Sequence, residues 1–157
     1  MMTSSVTTIE IAARKRRWVP PYKLLTLGGV VALLVFALPH IRYNHSTSEP
    51  RGVYWLDYYR SVQRGDFVTV STVLKQIAAV SGDVVLFTPE GVVINGSLWQ
   101  NSAPLRPYTP FPFGRYVVQP GQVLLLSHNK RGFDGRYIGF VPTNLLEAIA
   151  VPVLTER

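Results

Sequence analysis

An uncharged apolar run near the N-terminus is the first pattern in the chain. Leu24 to Ile41 (LLTLGGVVALLVFALPHI) contains no Asp, Glu, Lys or Arg over 18 residues. As an α-helix rising about 1.5 Å per residue it would extend roughly 27 Å, close to the hydrocarbon thickness of a bilayer. Trp18 and Tyr22 precede the run and Tyr43 follows it, which is typical of the aromatic belts at membrane interfaces. The pattern predicts a transmembrane helix over residues 24–41.

A buried core helix and a cleaved signal peptide are the alternatives for this run. A helix that is apolar on all sides needs a large protein around it, whereas this chain has 157 residues. A signal peptide needs small residues one and three positions before its cleavage site, and the exit sequence FALPHIRYN offers no such pair. We therefore expect an uncleaved anchor.

Beyond residue 42 the pattern changes to short runs rich in β-branched and aromatic residues, separated by Gly, Pro, Asn and Asp. These runs are Phe67–Val70, Val84–Phe87, Val92–Ile94, Tyr116–Val118 and Val123–Leu126. Closely spaced short strands with turn signals between them predict a mainly β, antiparallel domain. Residues 101–114 hold four prolines and are predicted to form a surface loop. Residues 144–149 suggest only a helical turn.

The net charge of +7 is concentrated beside the apolar run. Residues 1–23 carry five basic residues and one acidic residue, whereas residues 42–157 carry 11 basic and 8 acidic residues. The positive-inside rule places such a basic flank in the cytoplasm. We therefore predict a basic cytoplasmic tail over residues 1–23 and a domain outside the membrane over residues 42–157. No basic patch interleaved with aromatic residues favours nucleic acid as a partner.

Several kinds of site are disfavoured by the composition. The chain has no cysteine, which excludes disulfides, thiolate metal sites and a cysteine nucleophile. No two of its three histidines share a ligand spacing, and its glycines form no phosphate-binding loop. We expect neither a metal nor a cofactor.

A serine activated by a lysine is the chemistry that the sequence favours. A serine hydroxyl needs a base to become a nucleophile, and a lysine can act as that base only when it is neutral. At pH 7 only about one free lysine in 2,500 is neutral, but burial among apolar groups lowers the pKa of a lysine. Lys75 lies between Val73-Leu74 and Ile77-Ala78-Ala79-Val80, whereas Lys130 adjoins Arg131 in a polar turn. Lys75 is therefore the better candidate.

Three segments occur in a specific order behind the predicted anchor. They are SEPRGVY from Ser48, KQIAAVSGD from Lys75 and DGRYIGFV from Asp134. In this order they resemble the motifs of the serine–lysine signal peptidases, in particular the TraF-like peptidases of bacterial conjugative-transfer systems, which process pilin precursors. The chain departs from the family pattern where Gln76 replaces an arginine, Ser81 a proline and Gly135 a serine.

The resemblance implies a fold, a location and a set of roles. Ser48 would be the nucleophile, with its own backbone amide helping to stabilise the oxyanion. Lys75 would be the general base, and Asp134 an acidic residue that shapes the site. The family fold is a coiled antiparallel β domain with one N-terminal transmembrane helix. It implies a single-pass protein of the bacterial inner membrane, with its catalytic domain in the periplasm.

The substrate implied by the resemblance is a membrane-associated, pilin-like precursor, and the partners are the bilayer and components of a conjugative-transfer apparatus. The acyl-enzyme on Ser48 could pass its acyl group to water, or to an amino terminus that cyclises the product. Two other functions remain open: a general type I signal peptidase, and a non-catalytic bitopic component of a transfer or secretion apparatus. Asp134 and Arg136 could be a purely structural ion pair. A triad of Ser48 with His45 or His128 and Asp134 is a weaker alternative.

Overall fold

The fold is described from a computed structural model, which covers residues 20–156. Most of the predicted basic tail, residues 1–19, therefore lies outside the described residues. The chain divides into two units, Met1–Val35 and Phe36–Arg157. The first contains nearly all of the N-terminal helix, and the second contains the β domain.

Helix α1 spans Pro21–Ala37. Together with the 3₁₀ turn Leu38–His40 it provides a helical segment, Tyr22–His40, that is long and apolar enough to cross a membrane. Its large apolar side chains are exposed along its length, as at Leu25 and Phe36, which is unlike a buried core helix. The α-helix ends before the predicted limit at Ile41 because Pro39 has no amide hydrogen to continue the helical hydrogen bonds.

The second unit is built from eleven strands and one short helix within the described residues. The strands are β1 (Ile41–Asn44), β2 (Gly52–Asp57), β3 (Phe67–Val70), β4 (Val73–Ala79), β5 (Val84–Thr88), β6 (Gly91–Ile94), β7 (Ser97–Leu98), β8 (Gly114–Val117), β9 (Gln122–Leu126), β10 (Phe140–Pro142) and β11 (Ala148–Thr155), and the helix is α2 (Gly135–Ile138). A seven-stranded sheet has the order β1-β2-β11-β3-β4-β9-β10, and a four-stranded sheet has the order β7-β6-β5-β8. Every pairing between these strands is antiparallel. The predicted mainly β, antiparallel domain is confirmed.

Strand β9 connects the two halves of the core, because both of its faces are buried. Leu124 and Leu126 pack with Val85 and Phe87 of the smaller sheet. Leu125, which points to the opposite face, packs with residues of β3, β4 and β11. A strand covered on both sides has no need of alternating polar residues, which explains the continuous apolar run in its sequence.

All five runs predicted as strands overlap strands, although Val118 lies beyond the end of β8; of the predicted loop 101–114, only Gly114 belongs to a strand, β8. The predicted helical turn at 144–149 is only partly correct. A 3₁₀ turn covers Thr143–Leu145, but the chain is extended from Ala148 onward. Ala148 and Ile149 belong to β11, which is buried between β2 and β3 and hydrogen-bonded to both. Tertiary pairing therefore decides the conformation of this segment.

The hairpin between β3 and β4 turns without glycine or proline. Val70 pairs with Val73, so only Ser71 and Thr72 form the turn. Both residues have positive φ, 44° and 72°, as a two-residue hairpin turn requires, although this conformation is unfavourable for a β-branched residue. The Nη2 of Arg42 donates to the carbonyl of Thr72 at 2.6 Å and supports the turn. This turn fixes the register of β4, and with it the position of Lys75.

Replacing Ser71-Thr72 by Asn-Gly should raise the free energy of unfolding by about 1 kcal/mol, because Asn and Gly adopt positive φ at lower cost. Urea denaturation monitored by tryptophan fluorescence measures the change. The turn at Asn95-Gly96 is the matched control, since it joins β6 and β7 with the same two-residue geometry. Gly96→Thr should destabilise the protein by a similar amount. An Asn-Gly variant no more stable than the wild type would contradict the assigned turn.

Candidate active site

The segment that carries Ser48 connects β1 to β2 and is held in place by the side chain of Asn44. The Oδ1 of Asn44 accepts from the amide of Ser46 at 3.0 Å. Its Nδ2 donates to the carbonyls of Glu49 and Pro50 at 3.1 and 3.0 Å. Asn side chains commonly satisfy the backbone of a tight turn in this way. The Ser48 loop thus has a defined shape although it belongs to no strand.

The loop between β9 and α2 binds the same segment from the other side. The Ser127 hydroxyl donates to the carbonyl of Ser48 at 2.7 Å and accepts from the amide of Asn129 at 3.0 Å. The Nδ2 of Asn129 donates to the carbonyl and hydroxyl of Thr47 at 3.3 and 3.2 Å. Ser48 is therefore positioned by contacts within its own loop and with the β9–α2 loop, and not by strand pairing.

The backbone amide of Ser48 is engaged, because it donates to the hydroxyl oxygen of Ser46 at 3.1 Å. This amide is the group that the family resemblance assigns to oxyanion stabilisation. A substrate oxyanion would have to compete with the Ser46 hydroxyl for it.

Lys75 lies on β4, directly opposite Val68 of β3, and is almost fully buried. It borders an apolar groove whose other members are Val70, Val73, Leu125, Phe133, Asp134, Ile138 and Val141. Burial lowers the pKa of Lys75 below its ordinary value of 10.5; the negative charges of Asp134 and Glu49 oppose this shift, and Arg136 reinforces it. The direction of the shift is the one that a lysine base requires.

Asp134 and Arg136 form a fully buried ion pair at the start of α2. The Asp134 carboxylate accepts from the Nε of Arg136 at 2.9 Å, from its Nη2 at 2.9 Å and from the amide of Ser127 at 2.8 Å. Such two-pronged pairs between carboxylate and guanidinium are strong and directional. Arg136 also donates to four carbonyls, those of Asn101, Ser127, Asn129 and Lys130. The pair therefore fixes the loop that holds Ser48.

The profile of the family described as signal peptidase, peptidase S26, matches residues 16–154. The chain belongs to the S26 signal peptidases. Signal peptidases of this family are serine peptidases. The serine, the buried lysine and the buried aspartate that occur in this order along the chain are therefore the residues to consider for such chemistry.

Two curated relatives are plasmid transfer proteins TraF from Escherichia coli. One is 27% identical over 169 residues, covering 85% of this chain and 95% of the relative. The other is 26% identical, with 83% and 93% covered. Among solved structures, a signal peptidase I from Enterococcus faecalis V583 aligns at 18% identity with a TM-score of 0.41, covering 57% of this chain and 97% of the other.

The three predicted site residues are brought together only in part. Lys75 and Asp134 border one groove, where the charge of Asp134 opposes the lowering of the Lys75 pKa, whereas Ser48 borders a second groove with Phe67 and His128. Between residues 20 and 156, no hydrogen bond joins the Ser48 hydroxyl to the Lys75 amine. In enzymes without bound substrate, catalytic hydrogen bonds are often long and shorten only in the complex. The dyad of Ser48 and Lys75 therefore stays a prediction.

The histidine alternatives gain no geometric support. His45 is exposed and packs edge-on against Tyr43. The Nδ1 of His128 lies 3.8 Å from the Oε2 of Glu49, and its ring packs against Trp99. Neither imidazole hydrogen-bonds to Ser48 or Asp134 in the part of the chain that the structure describes. No cluster of three His, Asp or Glu side chains that could hold a metal ion occurs there either.

The replacement of the family serine by Gly135 has a structural reason. A Cβ built on Gly135 would lie 2.7 Å from the carbonyl oxygen of Leu125 and 2.5 Å from the Cδ1 of Leu124. Both distances are far below van der Waals contact, so a serine would push α2 away from β9. In this chain the hydroxyl that the family resemblance implies at this position has no space.

Sequence reasoning missed four residues of the site: Asn44, Glu49, Ser127 and Asn129. An Asn two positions before Ser46 is a signal for a side-chain-stabilised turn and could have identified the first. The polar run SHN directly after the strand LLL could have identified the two loop residues. Glu49 gave no signal, because an acidic residue next to a proline ordinarily lies on the surface.

Removing the Ser127 hydroxyl should loosen the Ser48 loop. Ser127→Ala leaves the Ser48 carbonyl and the Asn129 amide without their partner, so we expect the free energy of unfolding to fall by about 1–2 kcal/mol. We also expect faster amide exchange at residues 47–49, measured by hydrogen–deuterium exchange.

Ser102→Ala is the matched control, because the buried Ser102 hydroxyl also makes two backbone hydrogen bonds but lies under the smaller sheet. It should lower stability similarly without changing exchange at residues 47–49. Equal exchange in the two variants would argue against the anchoring role of Ser127.

Proposed function

We propose that this protein is a membrane-anchored serine endopeptidase that cleaves an exported, pilin-like precursor of a conjugative-transfer system. The observation that carries the proposal is Lys75. It is a buried lysine with a lowered pKa, at the border of an apolar groove, in a chain that belongs to the signal peptidases. The similarity to plasmid transfer proteins TraF supports the conjugative context.

In the proposed reaction, neutral Lys75 accepts the proton of the Ser48 hydroxyl as its Oγ attacks the scissile carbonyl carbon. The carbon–nitrogen bond then breaks, and Lys75 returns the proton to the leaving amine. Water then attacks the ester on Ser48, which gives hydrolysis, or an amino group attacks it, which gives a new peptide bond. In either case the bond between the Ser48 Oγ and the acyl carbon breaks, and Lys75 transfers the proton of the attacking group to Oγ. The amide of Ser48 would exchange its bond with Ser46 for one with the oxyanion.

Asp134 has a positioning role in this scheme. All hydrogen bonds of its carboxylate among the described residues come from Arg136 and from the amide of Ser127. It therefore acts on Ser48 through the Ser127 hydroxyl and on Lys75 through its charge, which opposes the lowering of the lysine pKa. It touches no reacting atom in the proposed mechanism.

The groove beside Lys75 suggests which side chains the substrate presents. Its walls are mainly aliphatic, from Val70, Val73, Leu125, Ile138 and Val141. An extended substrate with small apolar side chains next to the scissile bond would fit such a groove as an added β-strand. The peptide bond would then lie beside both Lys75 and the Ser48 loop.

The proposed location is the bacterial inner membrane, with residues 1–23 in the cytoplasm, residues 24–41 as the anchor and residues 42–157 in the periplasm. The apolar helical segment and the basic residues before it support this arrangement. Ser48 lies seven residues after Ile41, a distance of about 25 Å at most. Cleavage would therefore take place close to the membrane surface.

A second candidate is a non-catalytic bitopic component of the transfer apparatus. It is favoured by one observation, that Ser48 and Lys75 share no hydrogen bond among the described residues. A third is a general type I signal peptidase acting on ordinary secretory precursors.

Cleavage of the pilin precursor encoded with the same transfer system should depend on both residues of the dyad. With enzyme and precursor in membranes, Ser48→Ala, Lys75→Ala and Lys75→Arg should each lower kcat/KM by roughly 10³-fold or more, since guanidinium does not deprotonate in this pH range. Lys130→Arg is the control and should retain activity. Mass spectrometry distinguishes the two possible products. Hydrolysis gives a product with a free new terminus, whereas cyclisation gives a product that is lighter than the linear chain by one water.

The alternatives give different results in the same experiment. Cleavage that survives in all three dyad variants would move the nucleophile and base elsewhere. An intact pilin precursor together with Ser48-dependent cutting of secretory precursors would establish the general signal peptidase. No cleavage of either precursor by the wild type would favour the non-catalytic component.

Single cysteines can test the orientation, because the natural chain has none. Tyr59 is 94% exposed, and a Tyr59→Cys variant should react with a membrane-impermeant maleimide in intact spheroplasts. Thr3→Cys, in the basic tail, should react only after lysis. The reverse labelling pattern would overturn the proposed orientation.

A further inference from the structure

Glu49, the residue that follows the proposed nucleophile, has its carboxyl group fully buried. Its side chain is 0% exposed, and neither oxygen has a hydrogen-bond partner among the described residues. An ionised carboxylate in such a place would lose its hydration, and the nearby Lys75 and Gln76 would compensate only part of that loss. A protonated carboxylic acid would lose much less, so the surroundings favour the neutral form.

Groups from four elements face this carboxyl. They are Lys75 on β4, Asp134 at the start of α2, His128 in the β9–α2 loop and Tyr54 on β2. Asp134 is already paired with Arg136, and His128 is half exposed at 3.8 Å. Lys75 is thus the buried basic group with which Glu49 can share a proton. The two form no ion pair within 4 Å in the described part of the chain.

We propose that Glu49 holds the proton that Lys75 gives up, so that the resting site contains a neutral amine and a neutral carboxylic acid. The proposal rests on the proposed peptidase function and makes Glu49 a positioning residue for its base. In the exchange, the ammonium of Lys75 loses one proton and the carboxylate of Glu49 gains one, through solvent. The net charge of the site does not change.

Electrostatics favours this neutral pair over separated charges. Two buried ions that do not touch forfeit their hydration and gain little attraction in return. Burial raises the pKa of Glu49 to about 8; the charge of Lys75 and a backbone contact with Gln76 oppose this shift, and the charge of Asp134 adds to it. Burial also lowers the pKa of Lys75. The two shifts are in opposite directions, as a shared proton requires.

The protonation of Glu49 can be measured without any activity. A carboxyl whose pKa is raised from 4.5 to about 8 by folding binds more protons in the folded than in the unfolded state between these values. Stability contributed by the protonated group is then lost as pH rises through this interval. In detergent micelles, the full-length Glu49→Gln variant should lack this loss and become more stable, relative to the wild type, as pH rises from 5 to 8.

The matched control is Glu90→Gln, which removes an exposed carboxyl in the turn between β5 and β6. Its stability should follow the wild type across the whole pH range. A Glu49→Gln curve that also runs parallel to the wild type would overturn the proposal, because it would mean that Glu49 ionises equally in both states.

The second measurement, after the stability curves, is the pH profile of kcat/KM. Gln mimics the protonated carboxyl, so the acid limb of Glu49→Gln should coincide with that of the wild type, whatever the absolute rate. If Glu49 were instead ionised and held Lys75 charged, its loss would move the acid limb to lower pH, and that result overturns the proposal. Absence of cleavage by the wild type would refute the peptidase function, while the stability arm still decides the protonation of Glu49.

Discussion

The buried pair of Asp134 and Arg136 is the interaction on which the site depends. An arginine with almost no exposure costs free energy unless each of its donors finds a partner, and this one binds its aspartate and four backbone carbonyls. The same aspartate accepts from the amide of Ser127. Ser127 in turn binds the carbonyl of Ser48. The Ser48 segment is therefore connected to the buried pair through Ser127.

A second constraint acts on Lys75, whose charge depends on a balance. Burial favours the neutral amine, and two nearby carboxyl groups favour the ammonium. The pairing of Asp134 with Arg136 weakens one of these opposing influences. The second opposing influence is the charge of Glu49, and it is lost when the Glu49 carboxyl group is protonated. The charge state of Lys75 is thus determined by residues that lie far apart in the sequence.

Much of the architecture could be predicted from the sequence because it depends on local patterns. The apolar run 24–41 and the five β-rich runs each carry their signal within a few residues. Lys75 could be identified in the same way, since its apolar neighbours are adjacent in sequence. The strand β11 could not be predicted fully, because its conformation at Ala148 and Ile149 depends on pairing with β2 and β3, strands that lie about 80 to 90 residues earlier.

The remainder of the site escaped prediction for a similar reason. Ser127 and Glu49 owe their roles to contacts across loops and strands, and neither occurs in a distinctive local pattern. The turn at Ser71-Thr72 has residues that ordinarily disfavour its geometry, so sequence preference pointed away from it. Propensity is a weak guide wherever a buried neighbour or a fixed register sets the backbone.

The tight packing at Gly135 limits which side chains the start of α2 can carry. The carbonyl of Leu125 that fills the space belongs to β9, which is hydrogen-bonded to β4 and β10. A single substitution of Gly135 by serine would therefore meet a backbone that is held in place by two neighbouring strands. A hydroxyl at this position would require accompanying changes at positions such as Leu124. The start of α2 and the facing residues of β9 can therefore change only together.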